Sequence, residues 1–166
     1  SNSDVSCFVR AFAPVDKPSA DLKTDEKRPF LSIITRTQGK RIQTLNETLL
    51  CLTGQTDVDF ELLIVGHKLS EIQNEAIQEV IDSQPLWLRE KIRLIKVDTG
   101  NRATPLNVGF SEARGQYISI LDDDDIVFDN WVEEFRKLAN EYPGTILHCF
   151  AFAQNWMTVD TLSCKD

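Results

Sequence analysis

From Phe30 onward the chain alternates between two apolar patterns. Short runs of strand length occur at "FLSIIT" (Phe30–Thr35), "FELLIV" (Phe60–Val65), "IRLIKV" (Ile92–Val97), "YISIL" (Tyr117–Leu121) and "TILHCFAF" (Thr145–Phe152). Between them the apolar spacing changes to three and four, the period of a helix with one buried face. Ile42, Leu45, Leu49 and Leu52 define the first such face, and Ile72, Ala76, Ile77, Val80 and Ile81 the second. Leu106, Phe110 and Ala113 define a third, and Val132, Phe135 and Leu138 a fourth. Helix signals sit where this pattern needs them. Ser70 with Gln73 and Asn130 with Glu133 read as capping boxes, and Thr104-Pro105 as a cap followed by a first-turn proline. Pro85 stops the second helix, and Gly115 can end the third.

Strand and helix alternate at least four times, with strands mostly apolar on both faces. That pattern predicts an α/β fold with a mostly parallel sheet flanked by helices on both sides. "WMTVDTL" begins a sixth candidate strand. Residues 1–29 hold Pro14, Pro18, Pro29 and the charged run "DLKTDEKR" without sustained periodicity, apart from a short strand or helix at "CFVRAFA". They read as an N-terminal arm or linker ahead of a domain over residues 30–166.

Composition narrows the ligand class. The 166 residues carry a net charge of −8, which argues against a nucleic-acid backbone as main ligand. A phosphate-bearing ligand then needs a local basic patch or a bridging cation. No apolar run approaches the roughly 20 residues of a membrane span. The polar N-terminal stretch, broken by Pro14 and Pro18, does not read as a secretory signal. Cys7, Cys51, Cys149 and Cys164 show neither CxxC nor zinc spacing. Cys51 and Cys149 lie in helical and strand patterns, as reduced buried thiols would, so the expected setting is cytoplasmic.

In parallel α/β sheets ligands bind beyond the carboxyl ends of the strands. Four segments lie there: Thr35-Arg36-Thr37, Gly66-His67-Lys68, Asp98 to Arg102, and the run Asp122 to Asp125. Four consecutive aspartates repel one another, and no Lys or Arg stands nearby in "YISILDDDDIVFDNW". The expectation is a positive charge from outside the chain. If the backbone stays extended past Leu121, Asp122 and Asp124 share one side and Asp123 and Asp125 the other. Two carboxylates on one side suit a hard cation such as Mg²⁺ or Mn²⁺. The competing reading is a solvated acidic turn favouring the N-terminus of the next helix.

"NRATPLNVGFSEARGQYISILDDDD" resembles the family 2 glycosyltransferases: Asn and Gly in a helix, Ala-x-Gly-x-Tyr, an apolar strand and Leu-Asp-x-Asp-Asp. "RPFLSIITRTQGKRIQTLNETLLCLTGQTDVDFELLIVG" is similar to their opening strand, helix and second strand, including Gln55-Thr56 at the helix end. The resemblance covers roughly residues 28–150. It implies a GT-A fold, a Rossmann-like nucleotide-binding sheet that takes a nucleotide-diphosphate sugar with a divalent cation. By position it implies Asp124 as main cation ligand and Asp122 as a ribose or cation contact, with Asp123 the variable residue between them. It also places Thr35 and Thr37 in a loop that touches the base.

The chain departs from the family pattern at two places. Gly66-His67 stands where an acidic pair is common, so His67 becomes a candidate for base or ribose. Pro105-Leu106-Asn107 stands where Ala-Arg-Asn is usual, leaving Asn107 in place. Arg102 and Arg36 are then the candidate partners of the diphosphate. His148 lies in an apolar run and reads as a core residue. No catalytic base is assigned: in the family it lies well past the acidic run, and Asp160 and Asp166 read as surface residues. The expectation is therefore a donor-binding part of a larger protein, acting on an unknown saccharide, lipid or protein acceptor. Two alternatives differ in class: a non-catalytic nucleotide-sugar-binding module, and a phosphotransferase of the haloacid dehalogenase kind, whose strand-end Asp-x-Asp "LDDDDIV" resembles.

Overall fold

The computed structural model describes residues 28–147. Its elements are β1 (Leu31–Thr37), α1 (Ile42–Thr53), β2 (Phe60–His67), α2 (Glu71–Asp82), α3 (Leu86–Arg89), β3 (Ile92–Val97), α4 (Thr104–Glu112), β4 (Tyr117–Ile120) and α5 (Trp131–Glu141). The four strands form one sheet in the order β3-β2-β1-β4, and every pairing is parallel. β1 and β2 are therefore central and buried along their whole length save half-buried Arg36. Their apolar runs have no polar face because helices cover both sides.

One face carries the larger core. Ile33, Leu62 and Ile64 of the sheet pack there with Leu45, Leu49 and Leu52 of α1, Ile77 and Ile81 of α2, and Val132 of α5. The other face holds Ile34, Leu63, Val65 and Val97 under Leu106 and Val108 of α4. Gly109 sets how closely α4 approaches. A Cβ built there would lie 2.6 Å from Cγ2 of Ile34, so only glycine permits this helix–strand spacing. On the same face, Ile118 and Ile120 of edge strand β4 stay about half exposed.

At the N-terminal ends of the strands a polar network fastens four segments. The Glu61 carboxylate accepts from Ser32 Oγ at 2.6 Å, Arg114 N–H at 2.6 Å and Arg93 Nη2 at 3.0 Å. Burial pushes the Glu61 pKa up, but the bonds from Ser32 and Arg114 and the Arg93 charge outweigh it, so the net shift is downward. Just ahead of the first residues of β1 and β2, Arg136 of α5 pairs with Asp57 and Asp59 and lies 4.2 Å from the Phe30 ring centroid.

Several local expectations change. β1 and β2 run two residues further than their apolar runs, so Arg36, Thr37 and His67 are strand residues rather than loop residues. The capping box at Ser70 and Gln73 forms, but Asn130 makes no side-chain cap. Glu133 instead accepts from Thr56 Oγ1 at 2.7 Å and pairs with Lys137. α4 is capped by Ala103, and Thr104 Oγ1 accepts from the N–H of Asn101, inside the preceding turn. Ile72, expected on the buried face of α2, is 77% exposed. The short helix α3 after Pro85 was not anticipated. Thr145–Leu147 is not strand, and the remainder of the expected fifth strand, the sixth strand, the arm over 1–27, and Cys7, His148, Cys149, Asp160, Cys164 and Asp166 lie outside the described residues.

Candidate functional site

Because all four strands run the same way, their carboxyl ends meet at one edge. An open cleft of about 730 Å³ lies there. β1 and the segment after it contribute Arg36, Thr37, Gln38, Lys40 and Arg41. β2 contributes His67, the approach to α4 contributes Arg102, and the first turn of α4 contributes Pro105. The residues after β4 contribute Asp122, Asp123 and Asp124.

The acidic run is a turn, not a continued strand. Leu121 N–H still donates to Ile34 O at 3.0 Å, after which Asp125 N–H donates to Asp122 O at 3.1 Å and closes the turn. The Asp125 carboxylate accepts from Asp122 N–H at 3.2 Å. Strand alternation therefore stops at Asp122, and Asp123 lines the same cleft as its neighbours instead of turning to the opposite side. Asp123 is nonetheless distinct, being buried at 5% exposure. It accepts from Thr37 Oγ1 at 2.6 Å and from Arg41 Nη2 at 2.7 Å.

The countercharge expected from outside the chain is present within it. Arg36 Nε stands 3.4 Å from Asp122 Oδ1, and Arg41 Nη1 contacts Asp124 Oδ2. Burial opposes the Arg41 charge, but Asp123 and Asp124 outweigh it and raise its pKa further. Four cationic side chains, Arg36, Lys40, Arg41 and Arg102, thus face three carboxylates in one cleft of a chain whose net charge is −8.

Two ties, from Thr48 of α1 and from Gln55 just past its end, hold the acidic segment in place. Thr48 Oγ1 donates to Asp125 O at 2.9 Å. Gln55 donates from its amide to Phe128 O at 2.6 Å and accepts from Val132 N–H at 3.0 Å. This gives the Gln-Thr at the end of α1 a physical role: Gln55 satisfies backbone groups of the loop that follows the aspartates, and Thr56 N–H donates to Asp129 O at 2.8 Å. Between these ties, Ile126 and Phe128 are 55% and 79% exposed.

Not every candidate residue reaches the cleft. Arg36, Thr37, His67, Arg102, Asp122, Asp123 and Asp124 line it, whereas Thr35 is fully buried within β1 and Asn107, exposed on α4, is not among the lining residues. His67 is 9% exposed, and its buried Nε2 has no hydrogen-bond partner, as does Thr35 Oγ1. Lys40 and Arg41 escaped the sequence reading. Their signal was the basic pair closing "TQGKR", directly after the first strand.

Among the described residues no group of three or more His, Cys, Asp or Glu is arranged to hold a metal ion. The donors that face the cleft still suit a hard cation in kind. Asp122 and Asp124 offer carboxylate oxygens with side chains 44% and 39% exposed, and the Arg41 guanidinium already marks a place where positive charge sits.

Comparison with known proteins agrees with this architecture. The profile of Glycosyl transferase family 2 matches residues 32–163, so the chain belongs to that family. An uncharacterized glycosyltransferase of Methanocaldococcus jannaschii is 28% identical over 132 residues, which span 75% of this chain and 42% of that protein. S. aureus TarS, as the 1-349 structure, superposes with a TM-score of 0.56 at 18% identity, covering 68% of this chain and 33% of that 1-349 chain. The same structure has been solved in complex with UDP, with a TM-score of 0.56, 68% of this chain and 32% of that one covered. The mannosyltransferase PcManGT of Pyrobaculum calidifontis, in complex with GDP-Man and Mn²⁺, gives 0.51 at 20% identity over 60% of this chain and 29% of its own. These likenesses identify the fold as GT-A, and the chain spans less than half the length of each relative. Family membership also displaces the haloacid dehalogenase alternative.

Proposed function

We propose that this family 2 domain binds a nucleotide-diphosphate sugar in the cleft, with Mn²⁺ or Mg²⁺ at Asp122 and Asp124. The protein that contains it would transfer the sugar, with inversion, to a saccharide, lipid or protein acceptor. The observation that carries this reading is the coexistence of partly exposed carboxylates and four cationic side chains at the carboxyl ends of parallel strands. The nucleotide complexes of TarS and PcManGT support it by analogy of fold.

Each residue then has a task. Arg36, Lys40 and Arg102 draw the diphosphate into the cleft as fixed positive charge. His67 lines the cleft with a buried nitrogen lacking a partner, and it would hydrogen-bond the base or ribose. Asp122 orients the ribose or shares the cation, and Asp123 holds the turn against β1 through Thr37. When bound, the cation supplies electrostatic stabilisation of the departing diphosphate. Inverting transfer also needs a carboxylate to take the acceptor's proton. None of the cleft aspartates is given that step: Asp123 is buried under Thr37 and Arg41, and the other two serve donor and cation.

Calorimetry with UDP, GDP, ADP and dTDP tests the assignment. Mn²⁺ should tighten binding of at least one, and Asp124→Asn should remove most of that enhancement, because an amide offers the cation only a neutral oxygen. Enhancement that survives the substitution would remove Asp124 as principal ligand.

A further inference from the structure

We propose that Arg41 is a diphosphate-binding residue held in reserve, masked by Asp123 and Asp124 until a divalent cation takes its place on Asp124. This rests on the nucleotide-sugar reading and adds a residue and a coupling to it. Three observations support it.

The first is that the Arg41 side chain is the only described cation that touches two of the aspartates, bridging Asp123 and Asp124. It occupies the charge position a cation would seek. The second is that the two halves of this bridge differ. Asp123 is buried and independently held by Thr37 Oγ1 at 2.6 Å, so it keeps its place without Arg41. Asp124 and Arg41 are 39% and 53% exposed in their side chains, and an exposed ion pair is weak and open to exchange.

The third concerns the pivot. The Arg41 backbone caps α1, its carbonyl accepting from Leu45 N–H at 3.1 Å and Thr44 Oγ1 at 3.0 Å. The side chain can therefore leave Asp124 without disturbing the helix. A cation on Asp124 would repel the guanidinium, which then keeps Asp123 as its one carboxylate partner and adds surplus positive charge to Arg36, Lys40 and Arg102 in the cleft. A diphosphate is the ligand that consumes such a surplus, and the planar guanidinium fork matches its oxygens. The cation thus promotes donor binding twice, by bridging and by releasing Arg41. By linkage, donor must favour cation equally.

The test measures binding, not turnover, on the 166-residue chain. Mn²⁺ alone should bind Arg41→Gln about fivefold tighter than wild type, since no internal cation competes. With Mn²⁺ saturating, the best-bound of UDP, GDP, ADP and dTDP should bind Arg41→Gln roughly tenfold more weakly. Opposite signs are the signature. Lys40→Gln removes the same charge one residue away without touching an aspartate, so it should change Mn²⁺ affinity less than about twofold. Arg41→Lys, which keeps charge and loses the fork, should fall between wild type and Arg41→Gln, and it serves if Arg41→Gln fails to fold. Equal tightening of Mn²⁺ by Lys40→Gln and Arg41→Gln, or no tightening by Arg41→Gln, overturns the masking while leaving the nucleotide site standing. Failure of wild type to bind any of the four nucleotides with Mn²⁺ overturns both.

Discussion

Thr37 Oγ1 donates to Asp123 Oδ2 at 2.6 Å, joining the end of the first strand to the acidic turn after the fourth. The same hydroxyl accepts from Gly39 N–H at 3.1 Å, so one side chain organises both walls of the cleft.

Thr37→Val keeps the shape and removes both bonds. Asp123 is then buried with Arg41 as its remaining side-chain partner. A buried charged group that loses a hydrogen bond costs about 1–3 kcal/mol. Urea unfolding should show a lower midpoint at unchanged slope. Nucleoside diphosphate affinity should fall as well, because the turn that presents Asp122 and Asp124 loses its anchor. Unaltered stability would mean that Thr37 does not hold the turn.

Glu61 makes acid sensitivity predictable in sign. Its folded pKa is held below the ordinary value of 4.5, so its contribution is present above about pH 4.5 and is lost as pH falls through the folded value. Glu61→Gln should be less stable than wild type near neutral pH, and the difference should shrink below pH 4.5. Unfolding midpoints measured across that window check this. A difference that stays constant with pH would assign the loss to packing.

Gly109→Ala should destabilise the domain by about 1–3 kcal/mol, the usual cost of overpacking. The added methyl meets Ile34 at the centre of the sheet, not the tip of a mobile surface side chain. Pairing it with Ile34→Ala, which removes the clashing Cγ2, tests the contact directly. Partial recovery in the double variant is expected, and strict additivity would contradict the clash.

The parallel sheet was legible because its runs "FLSIIT" and "FELLIV" are too apolar for any position except the centre. Their true ends were not, since Arg36, Thr37 and His67 are polar residues kept in strand conformation by pairing on β1 and β2. The cleft was legible from four strand ends converging. Its charge pairing was not, because Arg41 and Asp124 are 83 residues apart and only the fold brings them together. Asn130 and Glu133 have capping-box spacing, yet Thr56 and Lys137 claim the glutamate. Local spacing cannot register such competition from distant residues.

The ties from Thr48 and Gln55 act on main-chain atoms at Asp125, Phe128 and Val132. The stretch between them is clamped by its backbone, while Ile126 and Phe128 project into solvent with no part in the clamp. Frame and fittings are thereby separated. Side chains at these two positions can be exchanged without loosening those main-chain ties, so the surface that follows the acidic turn can acquire new chemistry while the carboxylates stay where the backbone holds them.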